Sequence, residues 1–292
     1  MSVNGGLVIL KEMLAALPPS EKRIATYIIN HPDEAIQLTA MELGKRSSTS
    51  GAAVIRLCKS LNLNGFQDLK IRIAGDLQKG NVDGYSDIEP KEETKSIINK
   101  MTSNSIETMK ETAELLSEID IDKTVSAMQK AEKIHFFGVG ASSIIAQDAH
   151  QKFLRINKIS TAYTDLHMAA TQVANAGKED VVVGISFSGN TMEVAKLLQL
   201  AKKNNSTTIS LTKYGNNQVT AIADINLYTS ATTEPTFRSA ATSSRLAQLQ
   251  VIDILFMCVA SLQYDDTVKH LEATRKAISL LTEKGKSSRK NL

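Results

Sequence analysis

The sequence predicts an α/β fold in which a five-stranded parallel sheet flanked by helices follows a small all-helical domain. In the second half of the chain, short runs of β-branched and apolar residues alternate with longer segments of helical spacing, which is typical of parallel sheets. The first 77 residues contain only helical patterns. Two of the apolar runs end in turns rich in glycine, serine and threonine, where the helices of such sheets begin.

Length and composition indicate an ordinary globular protein with two domains: 292 residues, 42% of them hydrophobic and 22% charged. The lack of tryptophan and an aromatic content of 4% argue against a stacking platform for single-stranded nucleic acid. The formal net charge of +3 arises entirely within residues 1–80, which contain ten Lys or Arg and seven Asp or Glu. An excess of three charges is too small to identify a partner by itself.

Residues 1–77 are expected to form the helical domain. Thr39 and Glu42 form a capping box, in which each side chain bonds a free backbone N–H, and the short helix that follows should end near Arg46. Asn62 is expected to take the left-handed conformation that ends a helix. The other expected helices are Leu7–Leu14, Glu21–Asn30 with Ser20 as its cap, Ser50–Leu61 and Phe66–Leu77.

A short helix, a tight turn and a second helix that begins on Ser50 have the outline of a helix-turn-helix. The helix Ser50–Leu61 has one apolar face, and Ala52, Arg56 and Lys59 lie opposite it. Two basic side chains among small residues would let this helix enter a major groove. The same residues also fit an exposed helix that contacts only solvent, and the spacing alone leaves both interpretations open.

Residues 78–122 are expected to form a linker, polar and turn-rich over 78–95, and a connecting helix, Lys95–Leu116. The α/β domain is expected at 123–265, and a C-terminal helix and basic tail at 266–292. The expected strands are Ile134–Gly138, Ser160–Tyr163, 181–186, Thr207–Leu211 and Ile225–Tyr228. The expected helices are Asp122–Ala131, Ile144–Ile156, Asp165–Ala176, 191–204, Gln218–Ala223 and Arg238–Gln263.

Two strand-to-helix turns are the candidate binding site. The first has the pattern G-x-G-x-S and the second the pattern S-x-S-G-x-T. In each turn, backbone N–H groups and hydroxyls point to one spot in front of a helix N-terminus, which is the positive end of the helix dipole. A phosphate can bind at such a spot without Lys or Arg. One such turn would be an ordinary capped loop, whereas two of them strengthen the prediction. The candidate residues are Gly140, Ser142, Ser143, Ser186, Ser188, Gly189, Asn190 and Thr191.

The pair of turns resembles that of a SIS (sugar isomerase) domain, the phosphosugar-binding fold. Residues 17–75 resemble the helix-turn-helix of the RpiR/MurR family of bacterial regulators, on Glu21-Lys22, Tyr27-Ile28, Ser50–Leu61 and Gly65–Lys70. That family joins the two domains in the order found here, so the resemblance covers nearly the whole chain. Two departures are Ala53, where the family commonly has Thr, and Asn62, where it commonly has Gly.

The resemblance implies a transcriptional regulator, with repression as the expected action, that controls sugar or amino-sugar catabolism genes. Its expected partners are double-stranded operator DNA and a sugar-phosphate effector, such as N-acetylmuramic acid 6-phosphate, and it should form a homodimer or homotetramer. The residues it implies for DNA contact are Thr49, Ser50, Ala52, Ala53, Arg56 and Lys59, and Glu234 is implied as a reader of sugar hydroxyls. Which sugar phosphate binds, and whether it induces or co-represses, stays open.

The alternative function is a SIS-type sugar-phosphate isomerase or etherase in which Glu234 acts as acid or base, with His150 and His167 as weaker candidates. The attached helix-turn-helix favours the regulator, so no catalytic residue, cofactor or metal is expected. The first twenty residues lack a secretory signal pattern, and the apolar segment Val251–Leu262 carries Asp253, which indicates a core helix. A cytoplasmic location without membrane contact, and reduced buried Cys58 and Cys258, are therefore expected.

Overall fold

The computed structural model describes residues 5–77, 88–230 and 241–282. Its centre is a five-stranded sheet in which all strands are parallel and in the order β2-β1-β3-β4-β5. The α/β fold and its strand number are therefore as predicted. The strands are β1 (Lys133–Gly138), β2 (Ile159–Ala162), β3 (Asp180–Ile185), β4 (Thr207–Lys213) and β5 (Ile225–Thr229).

The helices of the described residues form three groups. The helical domain contains α1 (Gly6–Met13), α2 (Pro19–Asn30), α3 (Pro32–Ala35), α4 (Ala40–Arg46), α5 (Gly51–Ser60) and α6 (Phe66–Leu77). The connecting helix is α7 (Thr94–Leu115). The α/β domain contains α8 (Glu118–Lys130), α9 (Ala141–Arg155), α10 (Leu166–Ala174), α11 (Met192–Lys203), α12 (Thr242–Leu262) and α13 (Tyr264–Thr282).

The central strand β3 is buried along its whole length, because helices cover both faces of the sheet. Val181 and Val183 pack with α8, α9 and α12 on one face, whereas Val182 packs with α10 and α11 on the other. This alternation follows from the two-residue repeat of a strand. This burial on both faces explains why the strand is an uninterrupted run of apolar, mostly β-branched residues.

Helix α12 is the one helix among the described residues that is long and apolar enough to span a membrane by length and composition. It lies in the core of the α/β domain, where Val251, Ile252 and Leu255 are fully buried. Its Asp253 pairs with Lys152 of α9 at 2.8 Å. The expectation of a core helix over Val251–Leu262 agrees with this packing.

Several local predictions are confirmed, and two are wrong. The capping box of Thr39 and Glu42 is present, and Asn62 has a φ of 55°. Ser20 does not cap α2, because this helix already begins at Pro19. The short helix expected at Gln218–Ala223 is a turn, since the Asn217 Oδ1 accepts the N–H groups of residues 219 and 220 at 3.1 and 2.9 Å.

The two cysteines are unpaired, as expected. Cys58 is fully buried in the core of the helical domain, and this burial raises the pKa of its thiol to about 11. Cys258 is only partly buried and packs against the core of the α/β domain. The expectation of a buried thiol is therefore right for Cys58 and too strong for Cys258.

The helical domain packs directly on the carboxyl edge of the sheet. Tyr214, just after β4, and Tyr228, in β5, join the apolar core of the helical domain, and their rings lie 4.9 Å apart. The Ser230 hydroxyl lies 2.7 Å from Glu111 Oε2 on α7 and 3.1 Å from Glu12 Oε1 on α1. The edge of the sheet that carries the candidate phosphate site therefore also carries the helical domain.

Candidate functional site

The two hydroxyl-rich turns lie side by side at the carboxyl edge of the sheet. They follow β1 and β3, which are neighbours, and the last residues of these strands, Gly138 and Ile185, are paired in register. Strand β1 lies between β2 and β3, so the next strand in the sequence, β2, is on one side of it and the later strands are on the other. The strand order therefore reverses at β1. Ligands of open parallel sheets bind at such a reversal point.

The first turn brings the backbone of β1 close to the start of α9. A Cβ at Gly138 would lie 2.5 Å from the Ser142 carbonyl oxygen, so only glycine fits there. Gly140 has φ 59° and ψ −126°, a conformation that L side chains avoid. The Ser143 hydroxyl donates to the Gly140 carbonyl at 2.7 Å. The glycines of the G-x-G-x-S pattern are thus required by the turn itself.

The second turn is held by its own hydroxyls. The Ser186 and Thr191 hydroxyls lie 2.7 Å apart, and Ser186 Oγ accepts the Gly189 N–H at 3.2 Å. The Ser188 hydroxyl accepts the Asn190 N–H at 3.2 Å. Gly189 has a φ of 69°, which favours glycine. These contacts fix the shape of the turn in front of α11.

The helices that begin at the two turns have no side-chain cap. The cap positions of α9 and α11 are Gly140, which has no side chain, and Thr191, whose side chain accepts no bond from the first turn of its helix. By contrast, Asp165 caps the neighbouring helix α10 through the Met168 N–H at 2.8 Å. Uncapped N–H groups and the positive ends of two helix dipoles meet at one edge, an arrangement that attracts an anion.

The predicted phosphate residues fall into two groups by accessibility. Ser142 and Ser186 are buried, 7% and 2% exposed, and Gly189 is buried with them. The Ser142 hydroxyl lies 3.3 Å from the side-chain amide of the buried Gln248, so these two serines shape the turns from behind. The residues open to solvent, at least in part, are Gly140, Ser143, Ser188, Asn190 and Thr191.

The candidate acid or base, Glu234, lies outside the described residues, as do Lys284, Lys286, Arg289 and Lys290 of the basic tail. The His150 Nδ1 lies 2.9 Å from the Ser160 hydroxyl, which makes this histidine part of the packing between α9 and β2. His167 is exposed on the first turn of α10. Within the described ranges, no group of three His, Cys, Asp or Glu residues is arranged to hold a metal ion.

Asn217, which no sequence pattern singled out, lies against the second turn. Its Nδ2 donates to Thr212 Oγ1 and to the Gly215 carbonyl, both at 3.2 Å, and the Gly189 carbonyl accepts the Val219 N–H at 3.0 Å. An Asn in a Gly-Asn-Asn sequence after a strand is a signal for a turn, but it gives no sign of which other turn it contacts.

The helix-turn-helix consists of α4, the turn at residues 47–50, and α5. A Cβ at Gly44 would lie 2.5 Å from the Ser50 carbonyl carbon, so this glycine lets the two helices approach. Thr49 is half-buried, and its hydroxyl donates to the Gly44 carbonyl at 3.3 Å. Ser50 caps α5 by accepting the Ala53 N–H at 3.3 Å, as predicted.

The outward face of α5 carries exposed Ala52, Arg56 and Lys59. Among the residues that the structure describes, neither of these two cations has an ion-pair partner, so both are available to a phosphate backbone or a base edge. The expected side-chain contact of Ala53 with DNA is wrong. Ala53 is 1% exposed and packs in the core of the helical domain, on the same side of α5 as Leu57.

The two domains each match a family model. A model described as a SIS domain matches residues 127–258, and one described as a helix-turn-helix domain of the rpiR family matches residues 4–80. The chain is 50% identical over 275 residues to the uncharacterized HTH-type transcriptional regulator YbbH of Bacillus subtilis (strain 168), covering 94% of this chain and 97% of that relative.

A second relative and one solved structure extend the comparison. The chain is 41% identical over 274 residues to the uncharacterized HTH-type transcriptional regulator TTE0211 of Caldanaerobacter subterraneus subsp. tengcongensis, over 94% of this chain and 97% of the relative. The structure of the Vibrio vulnificus NanR protein complexed with ManNAc-6P is similar with a TM-score of 0.60 at 24% identity, covering 94% of this chain and 98% of that one.

Proposed function

Because the chain belongs to the rpiR family of helix-turn-helix transcriptional regulators with a SIS domain, we propose that it binds operator DNA under the control of a sugar phosphate. The observation that carries this proposal is the pair of uncapped helix N-termini, α9 and α11, at adjoining strand ends. The two turns offer N–H groups and hydroxyls to a phosphate, while the exposed face of α5 offers two cations to DNA.

The effector class that we propose is an amino-sugar 6-phosphate. N-Acetylmuramic acid 6-phosphate and ManNAc-6P are the first candidates, and the fold shared with the NanR protein complexed with ManNAc-6P supports this choice. Ser188, Asn190 and Thr191 would bind the phosphate from the second turn, and Gly140 and Ser143 from the first. Glu234 would accept hydrogen bonds from the sugar hydroxyls. The regulated genes would be those of amino-sugar catabolism, and the regulator a repressor.

We propose that two or four copies act together. One recognition helix buries too little surface for tight specific binding, and two-fold related copies double it. Helix α13 presents exposed apolar side chains, with Tyr264 69%, Leu280 72% and Leu281 88% exposed among the described residues. Where such side chains form a contiguous patch, they mark a protein–protein contact.

A thermal-shift screen tests the effector class directly. The purified chain is heated with N-acetylmuramic acid 6-phosphate, with ManNAc-6P, with the same sugars without phosphate, and with inorganic phosphate alone. We expect a rise in melting temperature with a sugar 6-phosphate and none with the unphosphorylated sugar, because the phosphate makes the contacts to both turns. Equal shifts with both forms of a sugar would refute the phosphate site.

The alternative function, a sugar-phosphate isomerase or etherase, has a separate test. Turnover of the candidate sugar phosphates is followed by NMR with the wild-type chain and with Glu234→Gln. The regulator proposal expects no isomerisation and no loss of the lactyl ether at enzymatic rates. Turnover by the wild type that disappears in the variant would instead make Glu234 the acid or base of an enzyme.

A further inference from the structure

One loop contacts both the second phosphate turn and the end of the recognition helix. This loop, Tyr214–Asn217, follows β4 and is called the post-β4 loop below. The Tyr214 hydroxyl donates to the carbonyl of Leu61, the residue that ends α5, at 2.8 Å. The Asn62 Nδ2 donates to Asn216 Oδ1 at 3.1 Å. The loop therefore holds the carboxyl end of the helix whose outward face carries Arg56 and Lys59.

The other side of the post-β4 loop is packed against the second turn, the one that carries Gly189. Position 189 has no room for a Cβ, which would lie 2.1 Å from the Asn217 side-chain carbon. The Phe187 carbonyl accepts the Lys213 N–H at 3.0 Å, at the point where β4 passes into the loop. The second turn and the loop are thus joined by a backbone hydrogen bond and by a tight side-chain contact.

The last residue of the loop, Asn217, is held firmly, because its side chain bonds four groups in and around the loop. Asn217 accepts from the N–H groups of Val219 and Thr220 and donates to Thr212 Oγ1 and the Gly215 carbonyl. Tyr214 is partly buried, and its ring packs against that of Tyr228 beside the core of the helical domain. A displacement of Asn217 would therefore disturb the groups that it bonds, among them the Gly215 carbonyl next to Tyr214.

We propose that the post-β4 loop transmits sugar-phosphate binding from the second turn to the recognition helix, with Asn217 as the positioning residue and Tyr214 as the contact to α5. This inference rests on the proposed function. In this mechanism the Tyr214–Leu61 bond belongs to the arrangement that binds the sugar phosphate less tightly. Phosphate bound in front of Gly189 displaces Asn217, the bond breaks, and α5 changes its orientation. A ligand shifts such an equilibrium only through its different affinity for the two arrangements.

The test removes the bond without touching either binding site. Tyr214→Phe keeps the ring and its packing and loses the hydroxyl that donates to Leu61. The arrangement that binds the ligand less tightly is then less favoured, so less binding energy is spent in leaving it. We expect the dissociation constant for the sugar 6-phosphate, measured by calorimetry on the DNA-free chain, to fall about threefold to tenfold, the range that corresponds to about 0.7–1.4 kcal/mol.

Tyr228→Phe is the matched control. It makes the same chemical change in the neighbouring ring of the same cluster, where no hydrogen bond to α5 is formed within the described residues, and its dissociation constant should equal that of the wild type. The probe is whichever of N-acetylmuramic acid 6-phosphate and ManNAc-6P raises the wild-type melting temperature. Tighter binding is a specific readout, because general damage to the fold weakens ligand binding and does not strengthen it.

A second variant guards against misfolding of Tyr214→Phe. Asn62→Gly removes the bond to Asn216 and keeps the positive φ that this position requires, so we expect a decrease of about twofold to threefold. Unchanged or weaker ligand binding in both loop variants, with a wild type that responds, would overturn the loop mechanism alone. A wild type that binds neither sugar phosphate would overturn the proposed function and this inference together.

Discussion

Gly189 and Asn217 are in direct contact: a Cβ added at position 189 would lie 2.1 Å from the Asn217 side-chain carbon and 2.3 Å from its Nδ2. Gly189 also has a φ of 69°. Both the backbone conformation and the lack of space therefore require glycine at this position of the S-x-S-G-x-T turn. The contact joins the candidate phosphate site to the loop on which the helical domain rests.

Gly189→Ala should destabilise the chain and abolish the effect of the sugar phosphate. An alanine in the left-handed region costs about 1–3 kcal/mol, and the methyl group must also displace Asn217. We expect the melting temperature to fall by several degrees and the ligand-induced rise to disappear. Gly177→Ala is the control, because a Cβ there meets open space. Equal melting temperatures for the two variants would contradict the packing described.

Arg56→Ala should weaken specific operator binding by about 1–3 kcal/mol and leave the melting temperature unchanged, because its side chain is exposed on the outward face of α5. Lys59→Ala should weaken binding to operator and to random DNA more evenly, as a phosphate contact does. Lys203→Ala, an exposed cation on α11, serves as the control in the same gel-shift titration. If Arg56→Ala binds the operator as tightly as the wild type does, α5 is not the helix that recognises the operator sequence.

The structural features that sequence analysis predicted well depend on neighbouring residues. The capping box of Thr39 and Glu42, the Ser50 cap and the left-handed Asn62 each follow from the chemistry of a few consecutive positions. The five strands were found because a doubly covered parallel strand is an uninterrupted apolar run, as in β3. The two turns could be recognised for the same reason, since their glycines and hydroxyls adjoin the strands.

Features that depend on contacts between distant parts of the chain could not be predicted. Asn217 contacts Gly189, twenty-eight positions earlier, and Tyr214 contacts Leu61 of another domain. No local pattern marks such a pair. Ala53 is a different case: the wheel of α5 puts it near the buried Leu57, and it was assigned to DNA from the family resemblance alone. The packing geometry of this helix, in which Ala53 is fully buried, corrects that assignment.

Ser188→Ala should bind operator DNA normally and fail to respond to the sugar phosphate at ordinary concentrations. The lost hydrogen bond to a charged group is worth about 1.5–3 kcal/mol, comparable to the coupling of about 2.7 kcal/mol that a hundredfold response requires. Glu234→Gln should show a similar but smaller loss. Thr171→Ala removes an exposed hydroxyl of α10 and should respond like the wild type. Anisotropy titrations of labelled operator, with and without ligand, distinguish these outcomes.

Glu111 should make the stability of the chain depend on pH. Burial, with the nearby carboxylates of Glu12 and Glu107, raises its pKa from 4.5 to about 7, while the Ser230 hydroxyl lowers it. The folded state therefore binds a proton that the unfolded state has released, so stability falls as the pH rises from about 4.5 to 7 and then stays constant. The penalty at pH 8 is up to about 3 kcal/mol.

Glu111→Gln should remove this penalty, because a neutral amide still accepts the Ser230 hydroxyl. The melting temperature of the variant relative to the wild type should rise by several degrees between pH 5 and pH 8. Glu118→Gln, at an exposed position on α8, is the comparison. If the two variants follow the same pH profile, the charge on Glu111 does not limit the stability of the contact between the domains.

A sugar phosphate at the two turns should control the DNA affinity of α5, and the other proposals depend on this control. Fluorescence anisotropy of the full chain on a duplex selected from random sequences measures this directly, with a sugar 6-phosphate, with the same sugar lacking phosphate, and with neither. We predict a change in operator affinity of about tenfold to a hundredfold with the 6-phosphate alone. Identical affinities under all three conditions, in a chain that binds the duplex tightly, would contradict the account.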